Sequence, residues 1–482
     1  MRIISPNASE YPRTQSRGVC HRSFDHPKSN YEEVWNLRIL QVVHGFPPRN
    51  VGGVEVRTRN LARAMAERHE VHVFYPLYLK GASECYVNSY KDGEEKIEIH
   101  ELTIKENMWD HANRLLRFDV RALDLTYKND KVRKKFEECL EEIQPDIVHF
   151  QHLLGLSIDL PLVAKKHCGV VLSLADYWPM CPTTHFLNSD GEICGGLSPE
   201  NCWKCLSTKW CNLVSARHLI NHYILKKTYE AYGVNRIANR ITCIKQSIKC
   251  ADKLLVASET IIRKFAENGF IDDSDLKEGK VALIHHGIDT YSLSKVRKNP
   301  SNNMRFGYVG SFSERKGLHV LIEAFNKLGD ASAELKMYGS TILDPSNRYH
   351  RCLIEKSKNN PKIRFMGPFY DVKDPYSNVD VLVVPSVTYE GYGLVVQEAF
   401  ATKTPVIASN IGALNESVEH MKNGLLFEVG NSNDLARKMR AIAENPILLR
   451  QLERNMPHVK SIEQNAEETE EVYEEVVYRR GK

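Results

Sequence analysis

No stretch of this 482-residue chain approaches the 18 or more consecutive apolar residues that a membrane-spanning helix needs. Residues 1–31 carry charges, Pro, Ser and Asn without a continuous apolar core, so they do not read as a secretory signal. Charge of one sign is also scarce. The 65 basic and 61 acidic residues leave a net +4, too little for wholesale nucleic-acid binding. Neither Gly-x-Gly-x-x-Gly nor Gly-x-x-x-x-Gly-Lys-Ser/Thr occurs, which argues against dinucleotide enzymes and P-loop ATPases. These absences point to a cytoplasmic protein with no nucleic-acid partner and at most a peripheral contact with the inner face of a membrane. Disulfides are disfavoured in such a compartment. The 12 cysteines are therefore expected as core residues, metal ligands or reactive thiols.

What is present is ordinary globular material, 42% hydrophobic and 26% charged, long enough for two to four domains at roughly 100–200 residues each. Residues 1–36, rich in Ser, Pro, Arg and Asn, read as a poorly ordered extension. Strand Leu37–Val43, a Gly-bearing loop, a helix with Val54, Leu61, Ala62, Met65 and Ala66 on one face, and strand Glu70–Tyr75 open a parallel α/β sheet. Strands at Asp146–Phe150, Gly169–Leu174, Lys253–Ser258 and Val281–Ile284 extend this N-terminal domain over 37–297. A polar linker spans 298–303. A second series follows over 304–458, with strands Met304–Val309, Glu334–Tyr338, Ile363–Phe365, Asp380–Pro385 and Pro405–Ser409. Near-continuous Val/Ile/Leu strands separated by helices imply sheets covered on both faces. The fold class is α/β, two Rossmann-like doubly wound domains facing a cleft. The tail 459–482 holds an acidic helix, Ala466–Arg480, whose stripe of Val472, Tyr473, Val476 and Val477 must be buried. Packing back toward the N-terminal domain would bury it.

The stretch Val384–Ser409 is the most informative. A buried strand ends at Pro385, a loop carries Glu390-Gly391-Tyr392-Gly393, and a helix beginning near Leu394 holds Glu398. Ligands of parallel α/β sheets collect beyond the carboxyl ends of the strands. Glycines let backbone come close to them, and a helix start offers free N–H groups to a phosphate. Two carboxylates at this spacing can address different parts of one extended ligand, sugar hydroxyls and a ribose diol. Acids near a helix start are also ordinary solvated groups, and spacing alone does not choose.

The segment Tyr389-Glu-Gly-Tyr-Gly-Leu-Val-Val-Gln-Glu-Ala-Phe-Ala, followed by Pro405-Val-Ile-Ala-Ser and Gly412, resembles the donor-site signature of family-4 glycosyltransferases of the GT-B fold. Val309-Gly310-Ser311-Phe312-Ser313-Glu314-Arg315-Lys316-Gly317 resembles the family's phosphate-binding loop. Gly52-Gly53-Val54-Glu55 and His286-Gly287-Ile288-Asp289 carry the likeness over nearly everything from Leu37 onward. The resemblance implies that Glu390 contacts the transferred sugar, Glu398 holds the ribose, and Lys316 neutralises the diphosphate. A departing diphosphate develops charge that fixed donors or a cation must meet. Gly52, Gly53, Ser311, Arg315, Gly391, Tyr392, Gly393 and Leu394 would complete the donor site. Many relatives carry Arg where this chain has Ser311, and Arg315 is near but offset in register.

In Val148–Gly155 the resemblance makes His152, beyond the strand end, the histidine facing the reacting sugar; His149, within the strand, is expected as a packed residue. His152, Glu390 and Lys316 are thus the expected catalytic set. Asp176, Tyr177 and Trp178 would line the acceptor pocket, Tyr and Trp being natural sugar-stacking surfaces; Ala175 stands where relatives often have His. The implied reaction is retaining transfer, through an oxocarbenium-like transition state, from a UDP-, GDP- or ADP-sugar to a hydroxyl acceptor. That acceptor would be a glycan, glycolipid or small molecule in polysaccharide or glycolipid assembly, and no cofactor is required for catalysis. A non-catalytic nucleotide-sugar binder and a sugar-nucleotide epimerase are the alternatives. Finally, Cys181, Cys194, Cys202 and Cys205, spaced C-x12-C-x7-C-x2-C in an insert at 176–211, suggest either a structural zinc site or reduced thiols under a loop. A similar Cys-rich insert occurs in a subset of these enzymes.

Overall fold

The computed structural model describes residues 36–79, 85–92, 96–105, 128–184, 186–189, 191–211, 219–329, 332–339 and 342–481. The expected extension 1–36 lies outside the described residues except for its last position. Apolar strands alternating with amphipathic helices build two sheets. The first contains β1 (Arg38–Val42), β2 (Glu70–Leu79), β3 (Tyr86–Asp92), β4 (Ile97–Lys105), β5 (Ile147–Phe150), β6 (Gly169–Leu174), β7 (Lys253–Val256) and β8 (Val281–Leu283). Their order is β3-β4-β2-β1-β5-β6-β7-β8. All neighbours run parallel except β3, which pairs antiparallel with β4. The second sheet contains β9 (Met304–Val309), β10 (Ala333–Tyr338), β11 (Ile363–Gly367), β12 (Val381–Val384), β13 (Val406–Ser409) and β14 (Gly424–Phe427). It is wholly parallel, in the order β11-β10-β9-β12-β13-β14.

Strands β5, β6, β7, β12 and β13 are buried at every residue, which is why they read as unbroken apolar runs. The sequence reading did not include β3, β4 and β14. Most β3 side chains are exposed and polar, so this edge strand carries no hydrophobic alternation. The polar stretch 298–303 holds no helix or strand before β9.

The last helix, Ile462–Arg480, begins at a capping box in which Ser461 and Gln464 satisfy each other's backbone N–H groups. That is why it starts four residues before the expected Ala466. Val472, Tyr473 and Val476 pack with Ile39, Leu61 and Met65 of the first domain, a burial worth roughly 1.5–3 kcal/mol per side chain. Tyr473 Oη lies 2.6 Å from His149 Nδ1 and accepts from Gln41 Nε2 at 3.3 Å. His149 is thus a packed strand residue. Among the described residues no helix is long and apolar enough to cross a membrane.

Each sheet reverses its winding once. The chain passes from β1 to β2 on one side and later reaches β5 on the other; β9 stands likewise between β10 and β12. Crevices form beyond the carboxyl ends of the strands at such reversals. The residues singled out by sequence lie at these two places.

Candidate active site

At the second reversal the chain leaves β12 and turns Glu390 inward, leaving it 8% exposed. Lys316 Nζ donates to both carboxylate oxygens, at 2.7 and 2.8 Å, and Ser386 Oγ donates to one at 2.6 Å. Arg315 Nη1 stands 4.0 Å from the other. Burial alone would push this carboxyl up. The charges of Lys316 and Arg315, with the hydrogen bonds of Lys316 and Ser386, outweigh it and hold Glu390 below its usual value. The same burial lowers the Lys316 ammonium, against the opposing pull of Glu390. Lys316 ends a short 3₁₀ turn, Glu314–Lys316, that rests on the exit from β12. A Cβ on the next residue, Gly317 (φ +70°), would lie 1.8 Å from the Pro385 carbonyl oxygen. Only glycine allows that approach. Glu398, on the helix Leu394–Ala401, accepts from Tyr376 Oη at 2.8 Å, and burial raises its carboxyl above the usual range.

Helix starts add a second feature. Asn129, Ser258, Asn347, Asn431, Asn445 and Ser461 cap their helices with side chains. The helices Gly53–Met65, Leu318–Asn326 and Leu394–Ala401 begin instead after Gly52, Gly317 and Gly393, with no side-chain cap. At Gly53 and Leu394 the first N–H groups remain available to an anion, whereas at Leu318 the neighbouring His319 N–H already donates to Tyr349 Oη at 3.3 Å. Gly53 faces Leu394, whose Cδ1 would sit 3.4 Å from an added Cβ, so two of these starts meet across the cleft.

At the first reversal His152 follows β5. Its Nδ1 accepts the Leu154 backbone N–H at 3.1 Å, which leaves Nε2 to carry the proton toward Asp176 Oδ1, 3.3 Å away. Asp176 also accepts the Trp178 N–H at 2.8 Å. Burial would raise the Asp176 carboxyl, but the His152 charge and hydrogen bond hold it below the ordinary range. His152, Asp176 and Trp178 line a pocket with an apolar floor of Leu172, Ile244 and Ile248.

A family model described as Glycosyltransferase Family 4 matches residues 51–291, and one described as Glycosyl transferases group 1 matches 291–459. The chain belongs to glycosyltransferase family 4. Among curated relatives of this family-4 chain, an uncharacterized protein of the cps region of Klebsiella pneumoniae is 24% identical over 81% of this chain and 90% of its own length. The putative colanic acid biosynthesis glycosyltransferase WcaL of Escherichia coli K12 is 30% identical over 34% of this chain and 42% of its own. For other curated relatives the chain spans about half their length, 53% and 51% for two of them. The crystal structure of Anabaena HepE in complex with UDP and glucose shares the fold, with a TM-score of 0.60, 16% identity, and coverage of 91% of this chain and 100% of that one.

Not every expected residue of this family-4 chain faces open space. Tyr392 packs its ring on His286, 5.1 Å between centroids, and on His285 at 5.5 Å. Gly391 lies so close to the first domain that a Cβ there would fall 2.2 Å from the Ala175 carbonyl oxygen, and its own carbonyl accepts from Ser258 Oγ at 2.9 Å. The small Ala175 therefore sits under the loop that carries Glu390–Gly393. Tyr177 is wedged between Phe186 and Tyr389, with its hydroxyl unpartnered, and it does not line the pocket beside His152. Ser311 bonds only locally, its carbonyl accepting from Tyr308 Oη at 2.6 Å. Arg315 supplies the guanidinium nearest Glu390.

The sequence reading did not single out His44. His44 stands two residues past the end of β1, as His152 does past β5, and the register pairs Val42 with Phe150. That shared offset was the available signal. The two rings lie 4.4 Å apart, His44 Nε2 is 3.2 Å from Glu55 Oε1, and His44 Nδ1 is buried without a hydrogen-bond partner. Burial first, then the neighbouring His152, keeps His44 below its usual basicity.

The cysteines were expected either to hold a zinc ion or to pack as thiols beneath a loop. Cys181 contacts Thr183 Oγ1 at 3.2 Å, Cys194 the Gly196 carbonyl at 3.3 Å and Cys205 the Leu187 carbonyl at 3.8 Å. Burial, then Cys181 and Cys194, push the Cys202 thiol up to about 12. Among the described residues no three of these sulfurs come within 4.8 Å of one another. Sulfurs around one tetrahedral zinc would stand roughly 3.8 Å apart, given Zn–S bonds near 2.3 Å. As placed, the four are neighbouring thiols beneath a loop rather than a ligand set.

Proposed function

We propose that this chain is a retaining glycosyltransferase that moves a sugar from a nucleoside-diphosphate donor to a hydroxyl acceptor. The observation that carries the reading is the Lys316–Glu390–Ser386 cluster at the end of β12, beside the helix start after Gly393, whose N–H groups have no side-chain cap. Such a place can take a pyrophosphate on Lys316 and that helix start while Glu390 accepts from a sugar hydroxyl. Glu398 would accept from the ribose diol of the nucleotide. The bond from the anomeric carbon to the leaving phosphate oxygen breaks. The acceptor oxygen bonds to that carbon on the same face, and its proton passes to the departing diphosphate. His152, held by Asp176, lines the sugar's other side.

The UDP and glucose in the HepE complex support a nucleotide-sugar donor, and the likeness to WcaL supports a polysaccharide or glycolipid acceptor. A cytoplasmic location at the inner face of a membrane accords with such an acceptor. The test is to screen UDP-, GDP- and ADP-sugars for thermal protection, since a ligand of the folded state stabilises by mass action. The protecting donor is then incubated with candidate acceptors and the product's anomeric proton coupling read by NMR. Retained configuration in an acceptor-dependent product is expected. An inverted product would overturn retention; donor consumed without acceptor would favour an epimerase; protection without turnover of any acceptor would favour a binding protein.

A further inference from the structure

At the amino-terminal ends of β2 and β4, opposite the strand ends that form the cleft, three metal-type ligands converge. The parallel register sets His72 beside Glu98 and Phe74 beside His100. Side chains alternate along a strand, so Glu70, His72, Glu98 and His100 share one face. His72 and His100 are 5% and 2% exposed, and His72 Nδ1 faces His100 Nε2 at 2.9 Å. One ligand atom from each of His72, Glu98 and His100 lies within 4.8 Å of the other two, a group of three that no other described residues form.

The outer nitrogens are held as well. His72 Nε2 is 2.9 Å from Glu70 Oε1, and His100 Nδ1 is 2.8 Å from Ser89 Oγ on β3. A carboxylate only accepts, so Glu70 keeps the His72 proton on Nε2 and leaves the Nδ1 lone pair facing His100. Glu70 is itself fixed by Arg38 Nε at 3.1 Å. Each ring thus has an outer partner of the kind that orients imidazoles toward a metal.

We propose that His72 Nδ1, His100 Nε2 and the Glu98 carboxylate bind a zinc-class divalent cation, which ties the β3–β4 hairpin to β2. Two nitrogens and a carboxylate suit zinc, and water reaches the fourth position because Glu98 is only half-buried. Zn–N bonds of about 2.0–2.1 Å at tetrahedral angles place the nitrogens roughly 3.3 Å apart, so the 2.9 Å pair opens by a few tenths of an ångström. His100 then carries its proton on Nδ1 and donates to Ser89.

The test uses the full chain stripped by a chelator and titrated with zinc ions alone, following affinity by a competing chromophoric chelator and ligand type by X-ray absorption. An equivalent of zinc bound through nitrogen and oxygen only is expected. Its dissociation constant should rise at least tenfold in Glu98→Gln, about tenfold in Glu70→Gln, and most in His100→Gln. Glu98→Gln, at a half-exposed position, keeps the test valid if His100→Gln does not fold. Zinc bound entirely through sulfur, or affinities equal in Glu98→Gln and the unsubstituted chain, would overturn the proposal.

Discussion

The two faces of the cleft settle their charges differently. On the proposed donor side Glu390 already holds Lys316 and Ser386, from segments 74 and 4 residues away, and Arg315 stands behind them. On the acceptor side the His44–Glu55 and His152–Asp176 pairs stack without joining, and His44 Nδ1 remains buried with no partner. An unmade hydrogen bond of this kind costs about 1–3 kcal/mol. The proposed donor side is therefore preorganised by charge, and the proposed acceptor side by ring packing.

The contrast can be broken most forcefully at Lys316. If it meets the leaving group, Lys316→Ala should lower kcat/KM by about 10³ and Glu390→Gln should lower kcat by about 10²–10³, read from initial rates. Equal small losses in both would make the pair merely structural. Glu398→Ala should weaken donor binding about 10–100-fold by calorimetry, with kcat nearly unchanged. On the acceptor side, Asp176→Asn should cost roughly tenfold in kcat, because His152 loses the partner that aims it. An unchanged rate would reduce that cluster to packing.

A smaller effect concerns pH. Glu390 titrates below its usual value, so its stabilising contribution is full above about pH 4.5, the ordinary glutamate range, and is lost as pH falls through the lower folded value. Acid unfolding curves of Glu390→Gln should lack that segment of pH dependence. Curves that run parallel down to pH 3 would show that Glu390 is not held in its charged form.

Sequence carried far where one segment contains its own signal. Buried strands announce themselves as apolar runs, and Glu390, Glu398 and Lys316 sit in short Gly-bearing motifs. It carried less far where the information is relational. A lone His44 has no periodicity, and only its register with His152 marks it. Tyr177 and Tyr392 look like ligand surfaces until the partner domain is seen to cover them. The exposed β3 lacks an apolar pattern, so the His72–His100 pair was invisible until β2 and β4 were laid side by side. The four cysteines matched a metal spacing along the chain, but spacing does not fix where thiols point.

The central claim is that a donor pyrophosphate takes Lys316 as its counterion. A crystal soaked with the protecting sugar nucleotide measures this directly. The account predicts phosphate oxygens within about 3 Å of Lys316 Nζ and near the N–H groups that follow Gly393, with the sugar against Glu390. A nucleotide bound elsewhere, with Lys316 and Glu390 still closed on each other, would contradict it.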